Sequence, residues 1–118
     1  MESKMQVQVN TDNNITGSET LADQVNGAVE NALGHLSDHI TRIEVHLSDE
    51  NGRKAGIDDK RCVMEARLEG LQPVSVSHQD STVGQAIDGA AGKLGRMIAS
   101  TIDRQRDEKR RRTDPPIP

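Results

Sequence analysis

Met5-Gln6-Val7-Gln8-Val9 alternates apolar and polar residues, the period-two signature of a half-buried strand. Asn10 to Gly17 is rich in Asn, Asp, Thr and Gly and reads as a turn. The period then lengthens. Leu21, Val25, Ala28, Val29, Ala32, Leu33 and Leu36 recur at intervals of three and four, which winds them into one stripe of an amphipathic helix. Asp23, Gly27, Glu30 and Gly34 fall on its other side. Thr20, with Asp23 three residues on and Glu19 beside it, marks a start near Ser18 or Thr20, because a short polar side chain caps the first turn and an acid suits the positive end of the helix dipole. The helix is expected to stop near Ser37.

Period two returns at Ile43-Glu44-Val45-His46-Leu47, the second expected strand. Ser48 to Lys60 holds acids, Asn, two Gly, Arg and Lys and little to bury, so it reads as a long hairpin loop. Cys62, Met64, Ala66 and Leu68 alternate with Arg61, Val63, Glu65 and Arg67 in the third strand. A turn over Gly70 to Pro73 leads into Val74-Ser75-Val76-Ser77-His78, with Pro73 at the strand's entry, where its missing N–H costs least. From about Ser81 a long helix follows, capped by Asp80 or Ser81, with Val83, Ala86, Ile87, Ala90, Ala91, Leu94, Met97, Ile98 and Ile102 on one face. The charged run Arg104 to Arg112 continues its polar end, and Pro115-Pro116 ends any helix.

The order β-α-β-β-β-α predicts an α+β two-layer sandwich. A right-handed crossover through the first helix makes the first two strands parallel, and short turns make the rest antiparallel. The sheet is thus a four-stranded mixed sheet with two helices on one face. Its second face is expected to be wet and to show Gln6, Gln8, Arg42, Glu44, His46, Glu65, Arg67, Ser75 and Ser77.

Composition narrows the chemistry. No Phe, Trp or Tyr occurs, so the core must be built from aliphatic residues and Met, and modules that stack bases on aromatic rings are disfavoured. A single cysteine, Cys62, excludes an internal disulfide and Cys-based zinc fingers, and its inward phase on the third strand makes it a small buried thiol. The formal net charge is -4, but it is unevenly spread. Residues 1–103 carry 9 basic against 16 acidic side chains, and residues 104–118 carry six against three, so an acidic body of about -7 adjoins a basic end of about +3. There is no apolar run long enough to span a membrane, and the start Met-Glu-Ser-Lys lacks a secretory signal's apolar region, so a cytoplasmic protein is expected.

Several segments resemble a known family. Ile43-x-Val45-x-Leu47, the spacing Asp80…Ala86-Ile87-Asp88…Lys93-Leu94-x-Arg96, and the opening strand with its Asn-rich turn are similar to the ribosome hibernation-promoting factor and ribosome-associated inhibitor family. The resemblance covers about residues 5–108 and implies the same β-α-β-β-β-α fold. It also implies a non-enzymatic protein that lodges in the small ribosomal subunit where messenger and transfer RNA sit. Such a protein blocks translation in starvation or stationary phase, with lysines and arginines meeting ribosomal RNA phosphates. Lys93 and Arg96 match the family's basic helix positions. Residues 1–108 would form this hibernation factor-like domain, and 109–118 a basic, then Pro-rich, flexible tail. The acidic body departs from the family's usual basic character, and Val83 and Gly84 stand where a Tyr is often seen.

The first functional reading is therefore a regulator that keeps ribosomes inactive under stress. Its RNA-binding candidates are Lys93, Arg96, Arg104, Arg106, Lys109, Arg110, Arg111 and Arg112, with Arg42, Arg61 and Arg67 on the sheet side. Its partners are the small ribosomal subunit and its RNA. Gly89, Gly92 and Gly95 recur every third residue on the side of Lys93 and Arg96, and the readings stand beside each other: a bare helix surface that lets an RNA backbone approach, or else tolerated surface glycine or a close helix–helix contact. Arg53, Lys54, Lys60 and Arg61 flank the hairpin loop, but Asp49, Glu50, Asp58 and Asp59 nearly cancel them, so that loop reads as solvated. The second reading keeps the fold but not the RNA: a protein-interaction module, homodimer or adaptor, that uses the wet sheet face or an open sheet edge. No nucleophile elbow, phosphate-binding Gly-Lys loop or dinucleotide fingerprint occurs, so no enzyme, cofactor or small-molecule substrate is expected. His35 and His39 are four apart but lack a third ligand, so no metal site is assigned.

Overall fold

The computed structural model describes residues 5–12, 15, 19–49 and 60–113, with side chains as far as Glu108. The opening alternation forms β1 (Gln6–Thr11), which lies parallel to β2 (Ile40–Asp49) in the register Val7 to Ile43 and Val9 to Val45. Between them the chain crosses through α1 (Glu19–Leu33). β2 pairs antiparallel with β3 (Lys60–Leu68), and β3 with β4 (Val74–Asp80), so the sheet order is β1-β2-β3-β4 and β1 and β4 are its edges. The final helix, α2 (Val83–Thr113), lies over β3 and β4 and packs against α1. The expected α+β sandwich of a mixed sheet with two helices is the fold that forms.

Strand alternation carries the core to the helix side. Ile43, Val45, Leu47, Cys62, Met64, Ala66 and Leu68 are all buried, and cross-strand pairing sets Ile43 beside Ala66, Val45 beside Met64 and Leu47 beside Cys62. Onto this row α1 sets Val25, Val29 and Leu33, and α2 sets Ile87, Leu94 and Ile98, each fully buried. Burying such a side chain contributes about 1.5–3 kcal/mol.

Several boundaries differ from the sequence expectation for identifiable reasons. β2 begins at Ile40 rather than Ile43, because Ile40 faces Leu68 while Arg42 already faces Arg67. Thr41 is thus an extra residue, a bulge that resets the phase and buries both Ile40 and Ile43 although they are three apart. The Thr41 hydroxyl donates to the Arg67 carbonyl (3.1 Å) and steadies the bulge. At the far end Ser48, Asp49 and Lys60 belong to strands, not to the hairpin loop. The Asp49 N–H donates to an Asp12 carboxylate oxygen (3.0 Å), and Lys60 Nζ pairs with Asp49 (3.2 Å). The rest of the loop, 50–59, with Arg53 and Lys54, lies outside the described residues.

The α-helical part of α1 stops at Leu33, ahead of Gly34, and Gly34–His39 tighten into a 3₁₀ helix. With three residues per turn, His35 and His39 stand about 120° apart instead of stacked. α2 begins two residues later than expected. Its cap is Thr82, whose hydroxyl accepts the Gln85 N–H (3.1 Å), while Asp80 accepts the Ser81 N–H (2.9 Å) just ahead. Met97, placed on the core face by spacing, is instead 44% exposed. The helix continues through Thr113, into the segment expected as a tail. Ile102 is its last buried residue among those described, so the turns beyond run past the core.

Candidate nucleic-acid interface

The Thr82 cap fixes the phase of α2, and that phase decides which cations share a side. Lys93, Met97, Ser100 and Arg104 follow one another at intervals of four, three and four, a single line along the helix, with Arg96 one turn from Ser100 beside it. Lys93, Arg96 and Arg104 are all exposed. Together with Met97, Ser100 and Val76 of β4 they line an open groove of about 450 Å³ between the helix and the sheet edge. Among the described residues no carboxylate lines it.

The three cations are held differently. Lys93 Nζ donates to the Ser77 carbonyl oxygen (3.1 Å), which ties the ammonium to the edge strand and covers one of its open acceptors. Arg96 folds back over Gly92, one of its guanidinium nitrogens lying 3.5 Å from where a β-carbon would stand. Among the described residues neither Arg96 nor Arg104 has an ion-pair partner. Arg104 also borders a second cleft of about 430 Å³, where Glu108 introduces a negative charge.

Of the other expected cations, those whose side chains are described are not brought to this groove. Arg106 is two residues from Arg104, about 200° round the helix. Lys109, Arg110, Arg111 and Arg112 lie in the helix's last turns, and their side chains lie outside the described residues. Arg42, Arg61 and Arg67 stand on the opposite, helix-free face of the sheet, and there acids interrupt them. Arg42 pairs with Glu44 (3.0 Å) and also donates to the Gln8 side chain; His46 lies 3.8 Å from the other Glu44 oxygen. Cross-strand register sets Arg42 opposite Arg67 and, in the next row on that face, Glu44 opposite Glu65, while Arg61 faces Ser48 and Gln79.

The glycine triplet does not form a bare RNA-facing surface. Gly95 is buried where α2 meets α1: a β-carbon there would lie 3.0 Å from the Ala32 carbonyl oxygen and 3.3 Å from Leu33. Gly89 gives its space to the His78 ring, which a β-carbon would overlap. Of the three only Gly92 lies beside the groove's cations. His78 is held in turn by Asp80 (3.1 Å), whose carboxyl sits below the usual aspartate range because the Ser81 N–H and then the His78 ring bond to it. Cys62 is buried and desolvation pushes its thiol up to about 12, far from the range of a nucleophile.

Sequence reasoning missed Met97, Ser100 and Val76 as groove residues. The signal was available for two of them, since Met97 and Ser100 fall on the Lys93–Arg104 line as well as near the core stripe. Val76 required the packing of β4 against α2.

Residues 7–106 match the family of the sigma 54 modulation protein / S30EA ribosomal protein. The chain belongs to that family. It is a family of ribosome-associated factors, not of enzymes, and the matched segment runs from β1 into α2. The N-terminal domain of Protein Y from Thermus thermophilus has the same fold, with a TM-score of 0.65, 20% identity, and coverage of 80% of this chain and 96% of that one. A ribosomal subunit interface protein from Coxiella burnetii is similarly alike, with a TM-score of 0.67 at 14% identity over 84% of this chain and 99% of that one. Among curated proteins none matches the sequence. Among the described residues no helix of this S30EA family member is long and apolar enough to cross a membrane.

Proposed function

We propose that this protein binds the small ribosomal subunit in its decoding region through contacts to ribosomal RNA phosphates, and keeps ribosomes inactive under stress or in stationary phase, in the cytoplasm. One observation carries the RNA part of this reading. On a body of net negative charge, Lys93, Arg96 and Arg104 gather along one groove that no described carboxylate lines. Each phosphate a cation neutralises releases counterions, so such a cluster binds a polyanion despite the overall charge. Family membership and the fold shared with a ribosomal subunit interface protein supply the ribosome as the place to look for that polyanion.

The experiment is co-sedimentation of the full chain with ribosomes and with isolated small subunits at low and moderate salt. The wild type is expected to pellet with small subunits, and Arg96→Glu/Arg104→Glu to remain in the supernatant. A wild type that stays soluble at low salt, or a double variant that pellets unchanged, overturns the reading.

The second reading, a protein-interaction module, draws on the sheet face. There the Arg42–Arg67 row adjoins the Glu44–Glu65 row, a pattern of alternating sign suited to another protein surface rather than to phosphate. A chain that ignores ribosomes and sediments as a dimer supports it.

A further inference from the structure

The groove on α2 is charged at its rim but apolar along its floor. Met97 is the one large apolar side chain exposed among the described residues, and partly buried Val76 lies beside it. A single exposed methionine needs no explanation by itself. This one shares the lining of an open groove with Lys93, Arg96 and Arg104. Arg96 and Arg104 are eight residues apart, about 12 Å along the helix axis. Met97 lies within that span, so a strand whose phosphates meet both arginines passes over the groove that Met97 lines.

We infer that this groove receives an unpaired nucleobase, so that the RNA it takes is single-stranded or bulged, not duplex. The inference rests on the RNA reading above and specifies the form of RNA that the site accepts. An A-form duplex keeps its bases stacked inside and presents phosphates and ribose hydroxyls, none of which gains from an apolar floor. An unstacked base has two apolar faces to cover. The usual platform for it is the ring of a Phe, Tyr, Trp or His, and no such side chain lines this groove. In their place the groove supplies the apolar, polarizable side chain of Met97 and the guanidinium plane of Arg96. Lys93, fixed to the Ser77 carbonyl, holds its charge at the groove's side without occupying its floor.

The test uses the full chain and fluorescence anisotropy with three labelled 12-nucleotide probes: a single-stranded RNA, the same RNA as a duplex, and a strand of the same backbone without bases. A labelled polyglutamate peptide of equal charge is the fourth probe. Single-stranded RNA is expected to bind about tenfold tighter than the abasic strand, the difference one base–side-chain contact makes. Met97→Ser is expected to abolish that difference while leaving abasic binding unchanged, and Met97→Leu to retain it. Because Met97 is exposed, neither substitution removes core packing. Equal binding of base-bearing and abasic strands, duplex binding as tight as single-stranded, no binding of any RNA probe, or polyglutamate bound as tightly as RNA overturns the inference. Ribosome co-sedimentation run on the same preparation separates the two claims. Pelleting together with equal probe affinities removes only the base-binding inference, whereas failure to pellet removes the reading on which it rests.

Discussion

Gly95 of α2 lies against the backbone of Ala32 in α1 so closely that a β-carbon would stand 3.0 Å from the Ala32 carbonyl oxygen. The helix pair therefore meets at a point where only hydrogen fits without adjustment. Gly95→Leu is expected to destabilise the fold by about 1–3 kcal/mol through overpacking. Gly27 and Gly92 are helical too, but a β-carbon meets nothing within 4 Å at the first and only Arg96, at 3.5 Å, at the second. Gly27→Ala and Gly92→Ala should each stabilise by about 0.5–1 kcal/mol, the helix-propensity gain without a steric cost. Urea unfolding of the three variants checks the contrast; a Gly95→Leu protein as stable as the wild type would contradict the close approach.

Asp80 joins the end of β4 to the start of α2. Its carboxylate accepts the Ser81 N–H (2.9 Å) and faces His78 Nε2 (3.1 Å), and both contacts hold its ionisation below the ordinary aspartate range. A carboxyl depressed in the folded state stabilises above its unfolded value and loses that stabilisation as pH falls through the folded one. The stability advantage of the wild type over Asp80→Asn should therefore shrink as pH falls below about 4. Chemical denaturation as a function of pH measures it. A difference that grows on acidification would refute the assignment.

Cys62 carries the opposite sign. Its thiol is buried among Leu47, Met64 and their neighbours, and desolvation raises it to about 12. In the unfolded chain a thiol ionises near pH 8.5, so unfolding gains a proton-release term above that value and the fold loses stability as pH climbs towards the folded-state value. Native protein should resist a thiol-alkylating reagent at pH 8 and react promptly in denaturant. Mass spectrometry of the alkylated chain reads both, and rapid native labelling would show that Cys62 is accessible.

The strand order and the two helices were legible because each rests on local periodicity: Val7 and Val9 alternate, Leu21 to Leu33 repeat every three or four, and the chain between them can only cross over. The bulge at Thr41 was not, because a one-residue insertion breaks the alternation that signals a strand, and Ile40 fell out of phase with Ile43. Thr82 was legible in principle. Thr82-Val83-Gly84-Gln85 has the Thr-x-x-Gln spacing of a capping box, although here the Gln85 oxygen accepts from Ser81 (2.8 Å). The site was legible only in part. Lys93, Arg96 and Arg104 share a side of one helix, which spacing shows. That Gly89 and Gly95 serve packing, and that Arg42 also bonds Gln8, depends on neighbours brought in from β4, α1 and β1. The Arg42–Glu44 pair sits two residues apart on one strand face and could have been read; the row of Glu44 and Glu65 across two strands could not.

That difference between the two sets of arginines gives the sharpest quantitative expectation. Arg96 and Arg104 have no ion-pair partner among the described residues, whereas Arg42 is already bonded to Glu44 and Gln8. If α2 carries the RNA contact, each of its arginines neutralises one phosphate. Arg96→Gln and Arg104→Gln should then each reduce the slope of log affinity against log salt by about one, and together by about two. Arg42→Gln should leave the slope unchanged and cost at most about 1 kcal/mol of stability, since an exposed pair contributes little. Titrating labelled protein with small ribosomal subunits over a potassium chloride series measures all three. A slope lowered as much by Arg42→Gln as by Arg96→Gln would move the RNA contact to the open sheet face, where the carboxylates of Glu44 and Glu65 would have to be displaced or screened before any phosphate could approach.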